Sequence, residues 1–329
     1  MIKKIFISLL LLPVLLSCMQ SKPIDDTPTE RITTAILNLR DTLTSAPYGW
    51  RVIYFPRTDS LLYSDPKATI KPHEYPLPQS FFLYGGSFFT MKFGEKETLT
   101  TLADYDEKCC TTPVHSSYTI VHNSSTELIF STHTYLHRLS DEAFRGSSRW
   151  TFVGHDLAGD LIFRSHHYAE PAREYICLQR IQEDNATQIT RKAWENRKYF
   201  EDMHDARLWI HYGDKRLFTS DVSGFGDKGK RYFLFQATKK RHTDPSRYPE
   251  ETYGLGSGYV GTDTGLTFRA GLRYSKQYIF YDFERVGDRF ICELVTIYPR
   301  LSHRQVYVPK HLFPHGEPTG IVAEIYDNH

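Results

Sequence analysis

Short runs of aromatic and β-branched residues, alternating with polar ones, fill most of the chain. "WRVIYF", "GSFFTMKF", "SYTIVH", "ELIFST", "RWTFVG", "DLIFRS" and "EYICLQRI" follow one another over residues 50–181, separated by Gly, Pro, Asp and Asn. A period of two in such residues predicts strands, because successive side chains of an extended chain point to opposite faces. The pattern resumes in "RLWIHY", "RYFLFQA", "LTFRAGL", "QYIFYDFE", "RFICELVTIY" and "RQVYVP". Closely spaced short strands of this kind predict an antiparallel barrel or sandwich.

Two stretches break the alternation. In "TPTERITTAILNLRDTL", Thr27, Pro28 and Glu30 are placed as a capping box with proline at the first helical position. Ile32, Ile36, Leu39 and Leu43 then fall on one stripe, predicting a short amphipathic helix that ends before Pro47. "NATQITRKAWENRKYFEDMHDA" reads as a second helix over residues 189–203, with a ragged apolar stripe. The expected fold is mainly β: two antiparallel β-rich lobes, barrel- or sandwich-like, over residues 27–185 and 186–329, behind one N-terminal helix.

The first residues change where this fold is expected to work. "MIKKIFISLLLLPVLLSC" has two lysines, an apolar run from Ile5 to Ser17, and Cys18. That is the layout of a secretory signal, too short and too broken by Pro13 for a spanning helix of roughly 20 apolar residues. Leu15-Leu16-Ser17-Cys18 resembles the lipobox of bacterial lipoproteins, so Cys18 is the expected lipidation site, residues 1–17 the signal, and residues 18–26 a tether. Buried acyl chains contribute about 0.8 kcal/mol per CH₂ to such anchoring. Without Lys3 and Lys4, the 40 basic residues become 38 against 39 acidic ones. Near-zero charge argues against a nucleic-acid partner, whose binders are clearly basic.

Catalytic and metal motifs fare poorly against plainer readings. His133 and His137 stand four apart in "LIFSTHTYLHRLSD". A strand would separate their Cα atoms by roughly 13 Å, too far for two zinc ligands at about 2.1 Å from one ion. "GSGYVG" matches G-x-G-x-x-G, yet the adjoining "TDTGLTFRAGL" alternates like a strand, so the motif reads as a flexible loop into a strand. "DVSGFGDKGK" fails the calcium-loop spacing and reads as a hairpin loop. Cys292 shares its alternating face with Phe290 and Leu294 and reads as a buried thiol. No disulfide is assigned among Cys109, Cys110, Cys177 and Cys292. Asp104, Asp106 and Glu107 offer carboxylates, but no catalytic pair can be chosen without their separation. No cofactor is expected. The compositional excess is aromatic, and Trp50, Trp150, Trp194 and Trp209 are the ligand-platform candidates; core packing is the plainer reading for each, with Trp50 and Trp150 in apolar strand runs, and Trp194, within polar "KAWENRK", is the one most expected to be exposed.

"LTSAPYGWRVIYFP", "GGSFFTMKF", "SSYTIV", "ELIFSTHTYLHRLSD", "WTFVGHD" and "DLIFRSHHY", in that order, resemble an uncharacterised domain-of-unknown-function family of Bacteroidota lipoproteins, family 4302. The resemblance covers residues 28–185 and, more loosely, "GTDTGLTFRAGL". It implies an envelope location and a β-rich fold, without a reaction; members similar to it are often encoded near outer-membrane uptake components, which makes such components candidate partners. His137 matches a histidine recurrent in that family, and His133 does not. The expectation is therefore a lipid-anchored envelope protein, at the outer membrane, that binds a glycan, a peptide or an uptake partner. The competing readings are an envelope scaffold and a hydrolase whose site has no linear motif. A groove lined by exposed aromatics favours binding, and a buried carboxylate pair in a cleft favours hydrolysis.

Overall fold

Eight strands close into an up-and-down antiparallel barrel: β1 (Trp50–Tyr54), β2 (Ser87–Phe93), β3 (Thr98–Ala103), β4 (Val114–His122), β5 (Thr126–Phe130), β6 (Arg149–His155), β7 (Leu161–Ser165) and β8 (Tyr175–Arg180). Pairing of Trp50 with Arg180 and of Val52 with Leu178 completes the circle. The computed structural model describes residues 27–56, 85–140, 146–156, 159–166, 174–224, 231–239, 251–274, 278–298, 305–310 and 313–328. β3 escapes the sequence pattern because "TLTTLA" fills its strand with threonine instead of aromatics.

The barrel is solid. Trp50, Tyr54, Phe89, Tyr118, Trp150 and Phe163 are each at most 1% exposed. Eight strands enclose just enough space for side chains, so this core takes the place of a lumen. Helix α1 (Pro28–Thr44) has the expected capping box, with Thr27 N donating to Glu30 Oε2 at 2.6 Å and Glu30 N to Thr27 Oγ1 at 3.2 Å. Only its second half docks: Leu39 and Leu43 are buried, whereas Ile32 is 36% exposed. Trp50 Nε1 donates to Leu43 O at 2.8 Å, tying the helix end to the barrel wall. A short helix, α2 (Glu107–Thr111), bridges β3 and β4, and its cap Asp106 accepts from Cys109 N at 2.7 Å.

A nine-stranded sheet follows: β9 (Ala206–Tyr212), β10 (Lys215–Gly224), β11 (Tyr232–Lys239), β12 (Glu251–Gly261), β13 (Gly265–Arg273), β14 (Ile279–Val286), β15 (Arg289–Ile297), β16 (Val306–Pro309) and β17 (Glu317–Asp327). Its order is β14-β13-β12-β11-β10-β9-β17-β15-β16, and it curls until β14 also pairs with β15. Leu208, Ile210, Phe268, Phe280, Phe290 and Ile325 fill its inner face. "GSGYVG" lies inside β12, correcting the loop reading: every residue from Glu251 to Gly258 has a partner on β11.

Helix α3 (Ala186–Glu201) plugs one end of this sheet, with Phe200 in edge contact with Tyr259 at 5.3 Å and with Phe268 and Phe290 at 5.9 Å. It begins three residues earlier than its sequence pattern indicates. Its stripe is ragged because it also faces the barrel, burying Thr190, Asn196 and Arg197 as well as Ile189 and Ala193. Phe55, Phe88, Ile181, Ile189, Ala193 and Val260 form an apolar layer shared by barrel, helix and sheet. Gly261 is required there, since a Cβ would stand 2.0 Å from Ala193 O.

Beside that layer the two lobes share a buried ionic cluster. Asp104, 0% exposed, accepts from Phe88 N at 3.0 Å and from Arg231 Nη1 at 3.0 Å on both oxygens. Arg231 also donates to Gly86 O at 2.8 Å. Arg197 donates to the backbone oxygens of Asp104 and Tyr105 at 2.7 and 3.2 Å, and to both Glu201 oxygens at 2.9 Å. Tyr259 O–H completes the group by donating to Glu201 Oε1 at 2.8 Å. Arg231 adopts φ 51°, a left-handed conformation costing about 1–2 kcal/mol, to aim its guanidinium into the barrel.

Removing one member of a buried ion group leaves the others uncompensated, which costs about 3–5 kcal/mol. Asp104→Asn is therefore expected to lower the unfolding free energy by about 3–5 kcal/mol in urea titration. A loss below about 0.5 kcal/mol, the usual range for surface changes, would refute this role.

Candidate functional site

The end of the curled sheet remote from α3 carries a file of aromatic rings. Inward-facing positions place them there: Phe218 pairs with buried Ile210, Leu272 and Phe280 face the same core, and Tyr274 and Tyr278 are the next inward positions outward along their strands. Tyr274 N donates to Tyr278 O at 3.0 Å, setting these two side by side at the base of the β13–β14 hairpin. Phe218 reaches Tyr274 with ring centroids 6.1 Å apart, although two strands, β11 and β12, separate β10 from β13 in the sheet. The contact therefore crosses the mouth. On the other side Tyr278 meets Tyr307 of β16 at 4.7 Å, with a hydrogen bond between their side chains. Phe218, Tyr278 and Tyr307 are half-buried, and Tyr274 is 37% exposed. Partial desolvation first, and the hydrogen bond to Tyr307 second, hold the Tyr278 phenol above its usual range, so it is uncharged at neutral pH.

The four candidate tryptophans are not brought together, and Trp50 is buried in the barrel core. Trp150 is wholly buried in the barrel core, edge-on to Tyr54 at 5.0 Å, which removes it as a ligand platform. Trp194 is half-buried on α3. Trp209 is half-buried on the outer face of β9, stacked on His211 at 4.1 Å. There His211 Nε2 lies 3.2 Å from Glu324 Oε1, and Arg289 Nη1 donates to Glu324 Oε2 at 2.6 Å. Cys18 lies outside the described residues, as does the "DVSGFGDKGK" loop beyond Gly224.

The histidine pair needs a correction. β5 ends at Phe130, and Tyr135–Ser140 form a 3-10 turn, so the strand spacing does not apply. The rings of His133 and His137 stand 5.8 Å apart. A shared ion is opposed by the occupation of His137: its Nδ1 accepts from Thr134 N at 3.1 Å, and the ring also hydrogen-bonds the Phe130 backbone. His137 thus fixes the turn after β5.

Buried carboxylates exist, yet Asp104 and Glu201 are saturated by Arg231, Arg197 and Tyr259. Their oxygens are committed to holding the lobes together, which opposes acid–base work there. Cys109, Cys110, Cys177 and Cys292 are free thiols, and Cys292 is buried beside Phe290 and Leu294 as its alternation indicates. Among the described residues, Asp156, Asp160 and Cys177 set one ligand atom each within 4.8 Å of one another. Burial first, and the two aspartates second, push the Cys177 thiol up to about 12, which disfavours the thiolate a metal needs. A cavity of about 410 Å³ at the start of α3 is lined by Asn185, Thr187 and Arg191, the arginine held by Glu195 at 3.0 Å and Glu107 at 3.5 Å. No described helix is long and apolar enough to cross a membrane.

The aromatic file was missed in the sequence because only tryptophan was weighed as a platform. The readable signal was phenylalanine and tyrosine clustered where strand runs meet polar turn segments. Residues 23–286 match the family model described as a domain of unknown function, DUF4302, extending the likeness through β14. No curated protein and no solved structure matches.

Burial first, and His133 second, lower the His137 pKa, so folding favours its neutral form. Its contribution to stability is full above the unfolded value of about 6.5 and is lost as pH falls toward the folded value. Urea midpoints are expected to drop between about pH 7.5 and 5.5, and His137→Gln to flatten that drop. An unchanged pH slope in the variant would contradict the assignment.

Proposed function

This chain belongs to the DUF4302 family of domains of unknown function, and from that premise we propose that it is a lipid-anchored protein of the bacterial cell envelope, at the outer membrane, that binds a ligand without transforming it. The observation that carries the binding reading is the file of rings crossing the far mouth of the curled sheet. Mouths of curled and closed sheets are common ligand sites, because aromatic walls and a few polar groups converge there. Tyrosine suits this role, offering a ring face for burial and a hydroxyl for orientation. Glycans, peptides and an uptake partner at the membrane are the ligand classes in view.

The lipobox at Cys18 supports the anchored location, as does the resemblance of residues 28–185 to Bacteroidota lipoproteins. A tether of residues 18–26 would leave the folded part in water. The ion-paired state of Asp104 and Glu201 weighs against hydrolysis at that buried pair. A second reading, an envelope scaffold with no small ligand, is favoured by the solid interior of the barrel, which leaves that lobe without a lumen.

Two measurements test the proposal. Cys18→Ala is expected to shift the protein from the membrane to the soluble fraction, and unaltered lipidation would sink the anchor. The soluble Cys18→Ala protein on glycan and peptide arrays is expected to give reproducible binding to one class. Uniform silence would move the account to the scaffold.

A further inference from the structure

We propose that the aromatic file takes an uncharged oligosaccharide; this rests on the binding reading above and commits it to one ligand class. Three features of the mouth choose among glycan, peptide and charged polymer.

The first is the shape of the file. Phe218, Tyr274, Tyr278 and Tyr307 come from β10, β13, β14 and β16, so the rings run across the opening instead of down one strand. Rings in file present several apolar faces in succession. A sugar chain repeats its own C–H faces in the same manner, with hydroxyls at their margins. The tyrosine hydroxyls supply donors and acceptors at the margins of the protein's faces.

The second is the state of the strand edges. An extended peptide is gripped by adding to an exposed edge, through its backbone N–H and C=O groups. Here β14 pairs with β15 only from Glu284 to Val286, and β16 pairs with β15 from Leu294 to Ile297. The remaining edges of β14 and β16 therefore face one another across a seam. Tyr278 and Tyr307 pack across that seam at 4.7 Å, which obstructs a strand added there.

The third is charge. The file itself consists of one phenyl ring and three phenols, side chains that carry no charge at neutral pH; the exposed cations Lys215 and Arg216 precede Phe218 on β10 and are not part of it. An anionic polymer would lose hydration without a counter-charge from the file. An uncharged chain loses little and gains stacking.

The test uses purified full-length protein in detergent micelles, titrated calorimetrically with dextran, mannan and laminarin, with polygalacturonate, and with a mixed peptide pool. Saturable binding is expected from at least one neutral polysaccharide. Tyr274→Ala is expected to weaken it about tenfold, Tyr274→Phe to keep it within about threefold, and Tyr175→Ala, on the outside of the barrel, to leave it unchanged. Tyr274 is 37% exposed, so its truncation spares the core. Binding confined to peptide or polygalacturonate and weakened by Tyr274→Ala would overturn the saccharide inference while the binding reading stood. Saccharide binding indifferent to Tyr274→Ala would overturn the assignment to the file. Silence toward all probes would overturn the binding reading itself.

Discussion

The carboxylate of Asp104 is the point on which the rest of the molecule turns. It leaves the barrel just after β3, and both of its oxygens are claimed by Arg231, which enters from the sheet just before β11. A wholly buried carboxylate is tolerable only with such compensation, and two buried guanidiniums are tolerable only with theirs. Asp104, Glu201, Arg197 and Arg231 balance two charges against two, so none can leave without stranding another. The left-handed conformation of Arg231 is the strain accepted for that placement.

That constraint explains the asymmetry of the second sheet. Its near end is occupied by α3, whose Phe200 plugs the inner face and whose Arg197 joins the ionic cluster. Its far end has no corresponding helix among the described residues, and the aromatic file stands there instead. The barrel cannot offer an equivalent mouth, because its core is filled by tryptophan, tyrosine and phenylalanine. The ionic cluster and the open aromatic file thereby stand at opposite ends of the second sheet.

Periodicity made much of this legible. The capping box of α1, thirteen of the seventeen described strands and the helix between the lobes could all be read from local pattern. β3, β10, β12 and β17 could not, each for a physical reason: threonine in place of aromatics, a bulge between Arg216 and Phe218, repeated glycine, and a start at Glu317-Pro318. The histidine pair misled because alternation does not announce that a strand stops at Phe130. The ionic cluster was invisible because its two arginines lie 93 and 127 residues from Asp104 in sequence. The aromatic file was half visible: Tyr278 and Tyr307 lie in plain strand runs, whereas Phe218 sits on unread β10 and Tyr274 just past β13, and the contact across two strands depends on the curl of the sheet.

If the cluster welds the two lobes, they must unfold together. Hydrogen exchange followed by mass spectrometry through a urea series reads β5–β6 of the barrel and β13–β15 of the sheet separately in one sample. One shared midpoint and one shared opening free energy are expected for both sets of amides, because neither lobe can expose its side of the cluster while the other stays closed. A barrel that remains protected through a separate, earlier transition of the sheet would contradict it.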